Sequence, residues 1–150
     1  MKHYKIVLLI LILILIDQGC KICMPEDIDV VIIPNILNLK YVQNTGMAFS
    51  LGKHHLSAIV VSNILILFVI IKIMISHINN MSVIANCMLS FCIAGGISNL
   101  IDRIFKGYVI DYISVTNFSI FNIADIFIVT GGIGILLLMI RGGKVSWKEI

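Results

Sequence analysis

Four apolar runs, residues 4–23, 56–75, 82–101 and 121–140, constrain this 150-residue chain more than anything else in it. A helix rises 1.5 Å per residue, so about 20 residues cross the roughly 30 Å hydrocarbon core of a bilayer. The predicted fold is a membrane all-α bundle of four transmembrane helices, forming a single domain over residues 1–150. Composition agrees: the chain is 13% charged, 59% hydrophobic and has a mean hydropathy of +1.07, against roughly 25% charged residues in an ordinary soluble domain.

An even number of spans leaves both termini on one side. Lys2, Lys5, Lys72, Arg141, Lys144 and Lys148 fall on that side, and Lys21, Lys40, Lys53, Arg103 and Lys106 on the other. Of the acids, Asp17, Glu26, Asp27, Asp29, Asp102, Asp111 and Asp125 all lie on the second side or just within its face. This asymmetry places both termini in the cytoplasm. The formal charge of +3 and pI near 8.7 do not point to nucleic acid, because the basic residues are scattered between apolar runs rather than gathered in a stripe.

Between the first two spans, residues 24–55 are polar and contain Pro25, Pro34 and Gly52, which argue against one continuous helix. Val30 to Ile33 and Leu37 to Val42 are β-prone, and a small extracytoplasmic sheet is expected there. The links near 77–81 and 104–120 read as short connections. Lys2 and Lys5 ahead of an apolar run and Gly19-Cys20 have the outline of a cleaved lipoprotein signal peptide, but Asp17 and Gln18 are polar where such a site is apolar. A retained helix uses them better, with Asp17 and Lys21 at i and i+4 able to share a face.

Two aspartates carry the chemical interest: Asp111 in GYVIDYIS and Asp125 in FNIADIFIV. A charge at the centre of a span costs roughly 2.5 to 3.5 kcal/mol, so a carboxylate in an apolar helical run calls for a function. Two carboxyls brought to hydrogen-bond distance have their pKa values driven apart, giving one base and one acid. Asp125 lies four residues past Phe121, about 6 Å along a helix, so water can reach it. Asn99 precedes Asp102 by three residues and Asn122 precedes Asp125 by three, so each amide is expected to face its own carboxylate. The four together read either as glue between two helices or as parts of a catalytic centre. Asp102 stands beside Arg103, and a fixed ion pair between these two is expected. Asp111 and Asp125 have no adjacent base.

Other candidate chemistry is thin. Cys20 and Cys23 form a CxxC without a second pair, the histidines show no ligand spacing, and no serine sits in a nucleophile-elbow sequence. Gly95, Gly96, Gly131, Gly132 and Gly134 suit close helix packing. Two other classes are alternatives to an enzyme. A proton-coupled transporter also places carboxylates in membrane helices, but the cytoplasmic halves here are almost purely apolar. A noncatalytic helix-bundle scaffold has no use for Asn44 and Gly46 in a distant loop.

The chain resembles the lipoprotein signal peptidases, the bacterial signal peptidase II family of aspartic membrane proteases. The matching pieces run in the family's order: Asp17-Gln18 with Lys21, Asn44-Thr45-Gly46-Met47-Ala48-Phe49, Gly95-Gly96 followed by Asn99-Leu100-Ile101-Asp102-Arg103, Gly107-Tyr108-Val109-Ile110-Asp111-Tyr112, and Phe121-Asn122-Ile123-Ala124-Asp125. The resemblance implies a four-helix membrane fold with an outer β-cradle and a short amphipathic segment over the site. It implies Asp111 and Asp125 as the catalytic dyad, with Asp17, Lys21, Asn44, Gly46, Asn99, Asp102, Arg103 and Asn122 binding substrate or holding the site. The implied reaction removes the signal peptide of a prolipoprotein just before a diacylglyceryl-modified cysteine, without metal or cofactor. The implied setting is the bacterial inner membrane, with the active site near the outer face. The expected partners are lipidated prolipoproteins and membrane lipids, and the chain is read as a monomer. Two features depart from the family's pattern: Ser98 where glycine is usual, and a short stretch from Asp111 to Phe121.

Overall fold

The computed structural model describes residues 3–46 and 56–141. Met47, Ala48 and Phe49 of the second motif, and His54 and His55, lie outside the described residues. Helices form on all four apolar runs: α1 His3–Ile22, α2 Leu56–His77, α3 Val83–Phe105 and α4 Ile123–Ile140. Three of them, α2, α3 and α4, are long and apolar enough to cross a membrane. Large apolar side chains such as Leu15 on α1, Phe68 on α2 and Ile133 on α4 point outward, as surfaces that meet lipid do.

Helix α3 is the central element and packs against each of the other three. Its sequence suits that place, because most of its inward positions are small or polar: Ala85, Asn86, Ser90, Ala94, Gly95, Ser98, Asn99 and Asp102 are all buried. A Cβ at Gly95 would collide with the backbone carbonyl of Ala124 on α4, so this close approach requires glycine. Gly96 lies against Leu67 of α2, and Gly131 and Gly134 of α4 lie against Met88 of α3, whereas Gly132 faces open space. An apolar cluster of Ile6, Met74, Met81, Ala85, Leu89 and Ile93 closes the end of the bundle opposite the sheet.

Ser82 caps α3, its side chain accepting from the Ala85 N–H at 3.1 Å. The helix ends at Gly107, which takes a φ of +81° that any other residue adopts only with strain, and the chain turns there into a strand. That strand belongs to a four-stranded antiparallel sheet in the order β1-β2-β3-β4: Asp29–Ile33, Leu37–Asn44, Val109–Val115 and Ile120–Phe121. The first two strands lie where the sequence placed them. The last two fall in the stretch read as a short link, because Val109, Ile110, Asp111 and Tyr112 are all buried and show no alternation of apolar and polar residues. Pairing of β2 with β3 sets Val42 opposite Asp111 and Asn44 opposite Val109.

Candidate active site

The last turns of α1 bring two opposite charges into the interior. Asp17 and Lys21, at i and i+4, meet at 2.7 Å and are both fully buried. The Lys21 ammonium also reaches Asp102 Oδ2 at 2.8 Å and donates to Asn99 Oδ1 at 2.9 Å. Asp102 is completed by Lys106, one turn later on α3, at 2.9 Å. Two buried carboxylates are thus neutralised by the buried Lys21 ammonium and the exposed Lys106 ammonium, and this pairing is what permits the burial of Asp17, Lys21 and Asp102. The expected Asp102–Arg103 pair does not form. Adjacent residues on a helix point about 100° apart, and the partner at i+4 is the one within reach.

Arg103 turns the other way. Its guanidinium donates to the backbone carbonyl of Gly46 at 3.1 Å and lies within electrostatic range of both Asp111 and Asp125. Asn99 also departs from the expected pairing, since it does not bond the Asp102 on its own helix. It carries the buried charge network across to α4, donating to Asp125 Oδ1 at 2.8 Å while its oxygen accepts from Lys21.

Asn122 does not turn its amide onto the Asp125 carboxylate as expected, and meets Asp125 through the backbone instead. It begins α4 with a capping box: its side chain accepts from the Asp125 N–H at 3.0 Å, and its own N–H donates to Asp125 Oδ2 at 3.2 Å. Its amide nitrogen donates to Asp111 Oδ1 at 2.7 Å. One residue therefore bonds both carboxyls, that of Asp111 through its side-chain amide and that of Asp125 through its backbone N–H. The other Asp111 oxygen accepts from Asn44 at 2.8 Å, and Asn44 is oriented in turn by accepting from the Gly46 N–H at 2.9 Å. Asp111 is only 2% exposed. Burial, aided by the charge of Asp125, pushes its carboxyl up to about 6 against the opposing pull of the Asn44 and Asn122 donors. Both aspartates line a cavity of about 540 Å³ together with Asn44, Asn99 and Arg103.

Each site residue named from the sequence is therefore in or next to this cavity, in two connected layers. Asp111, Asp125, Asn44, Asn99 and Arg103 face it. Asn122 and Gly46 hold those groups in place, while Asp17, Lys21 and Asp102 form the charged layer behind. Ala124 N–H, in the first turn of α4, donates to Asp17 Oδ1 at 2.8 Å and so pins the helix that carries Asp125. Two further members of the back layer were not among the site residues read from sequence. Ser98 donates to Asp17 Oδ2 at 2.6 Å, and Gln18 donates to Ser98 Oγ at 2.9 Å. Glycine at position 98 would remove this hydroxyl, so here serine extends the network. Gln18, next to Asp17 in the first motif, carried a signal that could have been followed. Cys20 and Cys23 are both free thiols.

The fold and this site define a small helical membrane protein that presents two amide-bound carboxyls, one buried and one half-buried, to a single cavity. Comparison with known proteins places that class more narrowly. Residues 9–141 match the family described as signal peptidase (SPase) II. A lipoprotein signal peptidase of Streptococcus agalactiae serotype Ia is 35% identical across 99% of this chain and 96% of its own, and that of Caldicellulosiruptor bescii is 43% identical across 79% and 77%. Two solved bacterial membrane enzymes share the fold. One, determined by the in meso method at 2.3 Å, has a TM-score of 0.86 at 23% identity, covering 99% of this chain and 95% of its own. The other, determined at 1.9 Å, has a TM-score of 0.81 at 25% identity, covering 93% and 95%. The chain belongs to the signal peptidase II family.

Proposed function

We propose that this signal peptidase II acts as an aspartic endopeptidase in which Asp111 and Asp125 hydrolyse the bond before the lipidated cysteine of a prolipoprotein, releasing its signal peptide. The observation that carries the reading is that Asn122 bonds both carboxyls at the wall of one cavity. With one carboxyl ionised and the other protonated, the first takes a proton from a water attacking the scissile carbonyl. The second donates to the oxygen that gains charge, and the proton then passes to the leaving nitrogen. The raised Asp111 carboxyl titrates near the pH at which a general base or acid is most effective. Arg103 supplies positive charge beside the pair, and the Lys21 network fixes Asn99 and the start of α4 so that both carboxyls keep their aim.

In this reading all four helices span the membrane, both termini are cytoplasmic, and the sheet and the cavity mouth lie at the outer face of the bacterial inner membrane. The protein works as a monomer, with lipids around it and lipidated prolipoproteins as substrates. The depth of the site explains a need for lipid on the substrate. Each buried CH₂ contributes about 0.8 kcal/mol, so a diacylglyceryl group anchors the scissile bond at the level of the dyad. Purified protein in detergent, given matched lipidated and unlipidated precursors, should cut the lipidated form far faster. Equal cleavage of the two would refute the lipid-directed part of the proposal.

A further inference from the structure

Helix α2 contributes one residue to the wall of the cavity, Asn63. Apart from Ser62, its neighbours along the helix are Ile, Leu and Val, and Asn63 stands about a third of the way along Leu56–His77, a segment apolar enough to span a membrane. Among the described residues no group hydrogen-bonds its amide, although Ser62 beside it bonds back to the Ile59 carbonyl at 2.9 Å. A free amide at that depth is costly, because lipid offers no partner.

The packing of α2 on α3 fixes the level of Asn63. Leu67 lies against Gly96, where the two antiparallel helices cross. From that crossing, Asn63 is four residues and about 6 Å toward the sheet end, and Asn99 is three residues and about 4.5 Å the same way. Asn63 therefore stands level with the amide that binds Asp125, on a different wall of the same cavity. The α4 wall of the cavity is formed by Ile126, Ile128, Val129 and Thr130, apolar except for the Thr130 hydroxyl.

An extended peptide entering such a cavity brings main-chain N–H and C=O groups that the apolar walls cannot pair. A carboxamide has both a donor and an acceptor and can pair with one peptide unit. We propose that Asn63 is a substrate-binding residue, hydrogen-bonding the main chain of the signal peptide beside the scissile bond. It reads the backbone rather than a side chain, which suits an enzyme acting on many precursors. This inference rests on the dyad assignment above and deepens it.

The test uses a synthetic precursor peptide bearing a diacylglyceryl cysteine, with binding measured to full-length protein carrying Asp111→Asn so that the peptide is not cut. Adding Asn63→Leu should weaken affinity about tenfold, the worth of a hydrogen bond or two. Asn63→Gln, which retains both donor and acceptor, should recover part of it. The unfolding temperature of Asn63→Leu should equal or exceed that of its parent, because leucine is at home in lipid. Unchanged affinity, or a fall in unfolding temperature parallel to the loss of binding, would overturn the assignment. Cleavage of the peptide by Asp111→Asn alone would instead overturn the dyad, so the two failures are distinguishable.

Discussion

At the scale of single residues, the site is governed by how buried charges find partners. Asp111 accepts two amide hydrogens and, among the described residues, has no cation bonded to it, so burial dominates and its carboxyl rises from 3.8 to about 6. The native state then binds more protons than the unfolded state between these values, and stability falls as pH rises through the window. The penalty is absent below about pH 4 and complete above about pH 6. A shift of this size corresponds to about 3 kcal/mol. Asp111→Asn cannot titrate, so its unfolding free energy relative to the parent protein should improve by up to that amount between pH 4 and pH 7.5. Thermal or denaturant unfolding of the two proteins side by side in one detergent checks it, and a difference independent of pH would show that Asp111 is not raised. The chemical identity of these residues was legible in the sequence, but their pairing was only partly so. Asp102 was assigned to its neighbour Arg103, whereas Lys21 and Lys106 hold it. Asn99 was assigned to its own helix, whereas it reaches across to Asp125. Spacing along a helix reveals which side chains share a face, and it is silent about what another helix brings to that face.

At the scale of elements, the helices were readable because lipid imposes a length and a composition on them. Strands β1 and β2 were readable from the β-prone runs Val30 to Ile33 and Leu37 to Val42. Strand β3, which carries Asp111, was not, since a strand buried on both faces loses the period-two pattern that marks its exposed counterparts. Turn and packing glycines were visible as residues, but which of them is essential depends on the neighbour. Gly95 abuts the Ala124 carbonyl at the start of α4, where no side chain can yield, and α4 presents Asn122 and Asp125 just there. Gly95→Val should destabilise the protein by about 1 to 3 kcal/mol through overpacking and reduce precursor cleavage with it. Gly132→Ala, in open space on the same bundle, should leave both within error and serves as the control measured in parallel. Equal behaviour of the two variants would mean that the α3–α4 contact does not position the site.

At the scale of the whole molecule, function depends on assembly from distant parts of the chain. Asp17 and Lys21 come from α1, Asn44 from β2, Asn99 and Arg103 from α3, Asp111 from β3, and Asn122 and Asp125 from the start of α4. The bundle and the sheet meet at this point, joined by hydrogen bonds from Asn122 to Asp111 and the Ile110 carbonyl and from Arg103 to the Gly46 carbonyl. The measurement that tests the central claim most directly is precursor cleavage by purified Asp111→Asn, Asp125→Asn and Asp102→Asn, assayed together with their thermal unfolding. General acid–base catalysis is typically worth about 10² to 10⁴ in rate, so each dyad variant should lose at least about 100-fold in turnover while remaining folded. Asp102→Asn leaves Lys21 and Lys106 short of a buried partner and should unfold at a lower temperature, with activity reduced alongside. Substantial cleavage by either Asp111→Asn or Asp125→Asn, or a fully stable but inactive Asp102→Asn, would contradict the account.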